Sequence, residues 1–256
     1  MSMELRKARN ADGRWVAAWM CPHPLKKYSE RSKSIVLTAH MPPKLIIFDL
    51  DGTLIEFPRE FLHSETERLI ADFGHPPVLR SALEESFYDF DYFRVIHEEK
   101  RAAFIKHFNH SFRWTEFPKP ILFPNTIKLL EELFNNGVTT AIATARDQSN
   151  ESLERELLET GITKYISIMA TRLLEDQQWT DKRPQIRHIL TEAGVSAAET
   201  MFVSDTPGDL QSARDEGIKT VIAVLSGGVS ETVLRACNPC HILGGVGDLL
   251  ESLLVK

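Results

Sequence analysis

The stretch KLIIFDLDGTL, residues 44–54, joins a short apolar run to two carboxylates and a glycine. Such a run, ended by acids, is typical of a strand that is buried on both faces. Asp49 and Asp51 leave this predicted strand two residues apart. Because open parallel sheets bind ligands beyond the carboxyl ends of their strands, we expect the functional site to lie here.

Strand and helix patterns alternate after residue 124. The predicted strands cover residues 139–143, 165–169, 200–203, 220–224 and 241–243, and the predicted helices cover residues 125–135, 151–159, 185–192 and 210–216. A glycine follows each of these helices within two residues, which is typical of a helix stop. This alternation predicts an α/β fold with a doubly wound, Rossmann-like parallel sheet that has helices on both faces.

Residues 55–123 interrupt the alternation. They show helical spacing and contain 11 of the 14 phenylalanines in the chain. A segment with so many large apolar side chains can form a hydrophobic core of its own. We therefore expect a helical domain at 55–123, inserted into a core made of residues 44–54 and 124–256.

The first 40 residues differ in charge from the rest of the chain. They carry a balance of +5, whereas the other 216 residues carry −11. We interpret residues 1–40 as a basic, poorly ordered N-terminal extension. A targeting peptide and a true translation start at Met41 are the alternatives.

Composition excludes several function classes. No run approaches the roughly 18 to 20 apolar residues of a membrane span, and a net charge of −6 argues against a nucleic-acid surface. Three cysteines in 256 residues do not suit a secreted disulfide framework, so we expect a reducing, cytoplasmic location.

Further polar residues follow the other predicted strands. Thr144 follows strand 139–143, Asp205 and Asp209 follow strand 200–203, and Lys182 precedes a predicted helix start. Clustered carboxylates repel one another unless a cation is present, and oxygen ligands favour a hard ion such as Mg²⁺. A hydroxyl and a lysine beside that ion suit a phosphorylated substrate. Two like charges about 4 Å apart repel by about 4 kcal/mol at an effective dielectric of about 20, so attack by Asp49 on a phosphate needs such neutralisation.

These residues resemble the four sequence motifs of the haloacid dehalogenase superfamily. The first motif, DLDGTL at 49–54, is the most specific; Thr144, Lys182 and the pair Asp205 and Asp209 follow in the order of that family. The resemblance covers residues 44–54 and 124–256, and the insert resembles the small helical cap of the phosphoglycolate phosphatase-like branch.

The resemblance implies a mechanism and a substrate class. Asp49 would be the nucleophile, and Asp51 would be the general acid and base. Thr144 and Lys182 would hold the substrate phosphate. Mg²⁺ would be held by Asp49, the main-chain carbonyl of Asp51 and Asp205, with Asp209 close behind. An acid at position 51 implies a phosphatase or phosphomutase acting on a small phosphorylated metabolite. From the composition we expect no nucleic-acid or membrane partner.

The motifs depart from the family pattern in two places. Ser204 stands where glycine is usual, and Arg183 separates Lys182 from Pro184. We favour Lys182 as the phosphate-binding lysine. A magnesium-dependent phosphatase is the leading function; a sugar-phosphate mutase and a non-enzymatic aspartyl-phosphate switch are the alternatives.

The segment 237–241, CNPCH, matches the pattern of covalent haem attachment. That chemistry needs an exported chain. We interpret this segment as the loop into the last strand.

Overall fold

The computed structural model describes residues 7–9, 15–17, 43–113, 118–146, 148–172 and 181–250. The described elements fall into two compact units. The first contains an antiparallel pair of strands, β1 (Lys7–Arg9) and β2 (Trp15–Ala17). Most of the basic segment 1–40, and Met41, lie outside the described residues, so the predictions about them are unchanged.

The second unit is built on a six-stranded sheet. Its strands are β3 (Leu45–Phe48), β4 (Thr139–Ala143), β5 (Ile168–Ala170), β6 (Thr200–Ser204), β7 (Thr220–Val224) and β8 (His241–Leu243). The spatial order is β5-β4-β3-β6-β7-β8, and every neighbouring pair is parallel. The chain builds one half of the sheet outward from β3 and the other half outward from β6. The predicted doubly wound α/β fold is confirmed, and the direction of winding reverses between β3 and β6, where such sheets bind ligands.

Five helices accompany the sheet in the described part of this unit. They are α4 (Thr126–Asn135), α5 (Asn150–Leu157), α6 (Arg183–Ala193), α7 (Pro207–Asp215) and α8 (Glu231–Ala236). Helix α7 begins three residues before its predicted start because Pro207 occupies its first turn, a position that suits proline.

The strand predicted at 165–169 is wrong at its start. Thr163–Tyr165 forms a 3₁₀ turn instead, and β5 begins only at Ile168. This turn follows Gly161, which has a φ of 76°, and the buried Ile162. Anchoring Ile162 in the core delays the entry of the chain into the sheet.

Three helices lie between β3 and α4 in the part of this stretch that the structure describes. They are α1 (Arg59–Asp72), α2 (Arg80–Tyr88) and α3 (Glu98–Ser111), with a 3₁₀ turn at Tyr92–Val95. Their apolar side chains form a cluster of their own around Phe104 and Leu83. The two connections to the sheet unit run side by side, since Glu56 N donates to Ile121 O at 2.7 Å.

Among the helices that the structure describes, none is both long enough and apolar enough to cross a bilayer.

Candidate active site

Three neighbouring strands deliver the predicted residues to one edge of the sheet. Asp49 follows β3, Thr144 follows β4 and Asp205 follows β6. The Asp49 amide donates to Val203 O at 2.9 Å, which fixes Asp49 at the β3–β6 junction. The winding of the sheet therefore brings these residues together, as the sequence predicts.

Lys182 lies between two of the carboxylates. Its ammonium pairs closely with Asp49 Oδ1 and lies 2.7 Å from Asp209 Oδ2. Lys182 and Asp49 are 4% and 5% exposed, so this charge pairing occurs away from water. Arg183 instead pairs with Asp181 at 2.7 Å, so Lys182 is the cation that reaches the site.

Lys182 and Asp209 reach the site from the N-terminal ends of two helices. Lys182 is the residue before α6, and Asp209 lies in the first turn of α7. Ser204 Oγ, at the end of β6, donates to Asp209 Oδ2 at 2.8 Å. The serine that replaces the usual glycine thus adds a hydrogen bond to Asp209.

Asp205 is held by groups for which the sequence predicted no role. Thr53 Oγ1 donates to Asp205 Oδ1 at 3.1 Å. Gly227 packs so closely on Asp205 that a Cβ atom at position 227 would overlap its carboxylate. The adjacent Ser226 Oγ donates to Gly52 O at 2.6 Å. A fourth strand end, the SGG turn after β7, therefore belongs to the site, and its two consecutive glycines were the available signal.

Burial changes the proton affinities of these acids. Burial raises the pKa of Asp49 to about 7, with Lys182 opposing the rise and Asp209 adding to it. Burial and the nearby Asp49 raise the pKa of Asp205 well above its usual value. Burial disfavours the charged form of Lys182, yet Asp209 and Asp49 together raise its pKa. The cluster holds more negative than positive charge, so a further cation would stabilise its ionised form.

The donor set suits a hard cation. Among the described residues, no group of three or more His, Cys, Asp or Glu side chains is arranged as a metal site. Asp209 is engaged by Lys182, and the Asp51 side chain is engaged by Arg146. The two buried carboxylates of Asp49 and Asp205 are oxygen ligands of the kind that Mg²⁺ prefers.

Arg146 contacts Asp51 through two hydrogen bonds. Arg146 Nε donates to Asp51 Oδ2 at 2.8 Å, and Nη2 donates to Oδ1 at 2.7 Å. The remaining terminal nitrogen, Nη1, pairs with Glu156 on α5. Thr144 is buried beside this pair, and its hydroxyl accepts from the Arg146 amide at 3.3 Å. Arg146 was not predicted from the sequence, because an arginine three residues after the end of a strand forms no distinctive pattern.

A cleft of about 770 Å³ lies between the helical segment and the SGG turn. Its lining includes Arg59, His63, Phe87, Tyr88 and Gly228. Gly228 has a φ of 89°, and a Cβ atom there would lie 2.7 Å from Arg59 Nη1. Gly227 touches Asp205 and its neighbour Gly228 lines the cleft, so the SGG turn borders both the cleft and the carboxylate of Asp205.

The CNPCH segment and the histidines of the helical segment, which could suggest other functions, lie outside this cluster of carboxylates. Segment 237–241 follows α8 and leads into β8, at the edge of the sheet, as predicted. The histidines of the helical segment are packed or exposed; His63 is hydrogen-bonded to the Tyr92 hydroxyl at 3.1 Å.

Comparison with known proteins identifies relatives along most of the chain. A family model described as haloacid dehalogenase-like hydrolase matches residues 46–223. A 5'-nucleotidase from Pseudomonas aeruginosa is 28% identical over 223 residues, covering 81% of this chain and 94% of that protein. A phosphoglycolate phosphatase from Vibrio parahaemolyticus is 24% identical, covering 83% and 97%, respectively. A pyrophosphatase from Halalkalibacterium halodurans is 26% identical, covering 82% and 97%.

Solved structures share the fold. A haloacid dehalogenase-like hydrolase from Streptococcus pneumoniae superposes with a TM-score of 0.66 at 19% identity, covering 82% of this chain and 98% of that protein. A hydrolase from Pseudomonas syringae superposes with a TM-score of 0.59 at 20% identity, covering 82% and 97%.

Proposed function

This chain belongs to the haloacid dehalogenase-like hydrolase family, whose relatives here include phosphatases, and on that premise we propose that it hydrolyses a small phosphomonoester through an aspartyl phosphate on Asp49. The observation that carries the proposal is the buried contact between the Lys182 ammonium and Asp49, beside Asp205, at the carboxyl edge of the sheet. A carboxylate can approach a phosphate dianion only when positive charge offsets their repulsion. Lys182 supplies one such charge.

A divalent cation would supply the rest. We propose Mg²⁺, held by the carboxylates of Asp49 and Asp205 and the main-chain carbonyl of Asp51, with Asp209 behind Lys182. When bound, it would neutralise the phosphoryl oxygens and the excess carboxylate charge.

The proposed reaction has two halves. The Asp49 carboxylate attacks phosphorus while Asp51 donates a proton to the departing alcohol oxygen. Asp51 then accepts a proton from the water that cleaves the aspartyl phosphate. Thr144 and Lys182 hold phosphoryl oxygens, and the buried position of Lys182 supports that role because its charge is little screened by solvent.

We propose residues 55–123 as a cap domain over the core formed by residues 44–54 and 124–256. The cleft between them, about 770 Å³, would hold the leaving group. A cap that covers the site would exclude bulk water from the first half of the reaction. The relatives' names, nucleotidase, phosphoglycolate phosphatase and pyrophosphatase, support a small phosphorylated metabolite as substrate. The three cysteines support a reducing, cytoplasmic location.

The test is phosphate release from a panel of phosphorylated sugars, acids and nucleotides, with and without Mg²⁺. We expect Mg²⁺-dependent release that Asp49→Asn abolishes and Asp215→Asn, an exposed surface change, preserves. Isomerised sugar phosphate without free phosphate would identify a mutase. A stable phosphoprotein that never turns over would identify a switch, and either result would overturn the phosphatase.

A further inference from the structure

Arg146 and Asp51 form an ion pair with a defined geometry. Two guanidinium nitrogens each donate to a different oxygen of the Asp51 carboxylate, at 2.8 and 2.7 Å. A two-point contact between planar groups fixes the rotation of the carboxylate, which a single lysine contact does not. The side chains are 11% and 17% exposed, so solvent competes little for these hydrogen bonds.

The guanidinium is itself held from the opposite side. Its third nitrogen, Nη1, pairs with Glu156, and Gln148 Nε2 donates to the other oxygen of Glu156 at 3.2 Å. Glu156 lies on α5, which packs on the sheet through the buried Leu153 and Leu157. Arg146 therefore fixes the position of Asp51 relative to helix α5 of the core.

We propose that Arg146 is a positioning residue for Asp51 in the second half of the reaction. This inference rests on the proposed function. In that step the water oxygen bonds to phosphorus, the bond from phosphorus to the Asp49 oxygen breaks with its electron pair returning to Asp49, and the water proton goes to Asp51. A carboxylate held in one rotamer meets the attacking water more often than a freely rotating one.

The two halves can be separated with p-nitrophenyl phosphate. Nitrophenolate departs without a proton, so formation of the aspartyl phosphate from this ester depends little on Asp51. Hydrolysis of the aspartyl phosphate still depends on Asp51. A defect in positioning Asp51 should therefore slow the second half alone.

We expect Arg146→Ala and Arg146→Lys each to lower kcat about 10- to 100-fold. The value of kcat/KM, which reports the first half, should stay within about twofold of wild type, so KM falls with kcat. Rapid-quench measurements should show a burst of one nitrophenol per site and a phosphoprotein that acid traps. Glu156→Gln should shift the same quantities in the same direction by a smaller factor.

Arg187→Ala, which removes a surface partner of Glu216, is the matched arginine control. Because Arg146→Lys retains the positive charge, it still tests the inference if Arg146→Ala fails to fold. Equal loss of kcat and kcat/KM without a burst, or full activity in Arg146→Lys, would overturn the inference while leaving the phosphatase intact. A wild-type protein that forms no phosphoprotein and releases no phosphate would instead overturn the proposed function and this inference with it.

Discussion

Gly227 matters because its missing side chain lets the turn after β7 lie against Asp205. A Cβ atom there would overlap the Asp205 carboxylate, so the carboxylate or the turn would have to move. We expect Gly227→Ala to lower phosphatase activity at least about 100-fold, the cost of misplacing a reacting group by about 1 Å. Activity assays at saturating Mg²⁺ would measure the loss.

Gly208→Ala is the matched control, since a Cβ atom there meets nothing within 4 Å. Equal activity in the two variants would contradict the steric role given to position 227.

Some residues of the site could be predicted from the sequence and others could not. Asp49 and Asp205 could be predicted because strand ends of a parallel sheet converge, and Lys182 because it precedes a predicted helix start at the same edge; the structure brings these residues together. Thr53 and Arg146 could not, because their partners, Asp205 and Asp51, lie 152 and 95 positions away and no local spacing encodes such contacts.

At the scale of elements, Glu65 ties helix α1 to the end of α3. It is 1% exposed, lies in hydrogen-bonding contact with Arg68, and accepts from Arg113 Nη2 at 2.7 Å. Hydrogen bonds from Arg68 and Arg113 lower the pKa of Glu65 to about 2. Both arginines are partly exposed, so we expect Glu65→Gln to reduce the free energy of unfolding by only about 1 to 2 kcal/mol at pH 7.

The sign of the pH dependence follows from the lowered pKa. The stabilisation is complete above the ordinary glutamate pKa and is lost as the pH falls towards about 2. The difference between wild type and Glu65→Gln should therefore shrink between pH 7 and pH 3 in denaturant titrations. The exposed Glu154→Gln should show no such difference, and a gap that widens in acid would contradict the assignment.

Periodicity predicted elements better than it predicted their ends. Strands β4, β7 and β8 have their predicted bounds, because glycine stops and polar breaks mark them. The predicted start of β5 was wrong because Thr163–Tyr165 forms a 3₁₀ turn in which Tyr165 packs against the core, and an apolar residue in a turn has the same local pattern as one in a strand.

At the scale of the molecule, alternation of strands and helices predicts a parallel sheet but does not by itself state the strand order. The order places β3 and β6 side by side, although 151 residues separate Phe48 from Thr200, and that pairing creates the crevice. The helical segment between β3 and α4 lengthens the chain without disturbing the sheet, because both of its connections meet at the Glu56–Ile121 hydrogen bond. The site therefore depends on the strand order, and contacts between residues far apart in the sequence determine that order.

Concentrating carboxylates at this crevice lowers the stability of the metal-free protein. We therefore expect wild type and Asp205→Asn to exchange their order of stability when Mg²⁺ is added. Asp205 is 5% exposed, and burial and the nearby Asp49 raise its pKa well above the usual value. In EDTA at pH 8 we expect Asp205→Asn to unfold at a higher temperature than wild type, because the variant removes a buried charge while retaining an acceptor for Thr53. Mg²⁺ at about 100 times its Kd should stabilise wild type by about 2.7 kcal/mol and the variant much less, reversing the order. Thermal melts with and without Mg²⁺ test this, with Asp215→Asn as the control; parallel shifts in all three proteins would show that the cation binds away from Asp205.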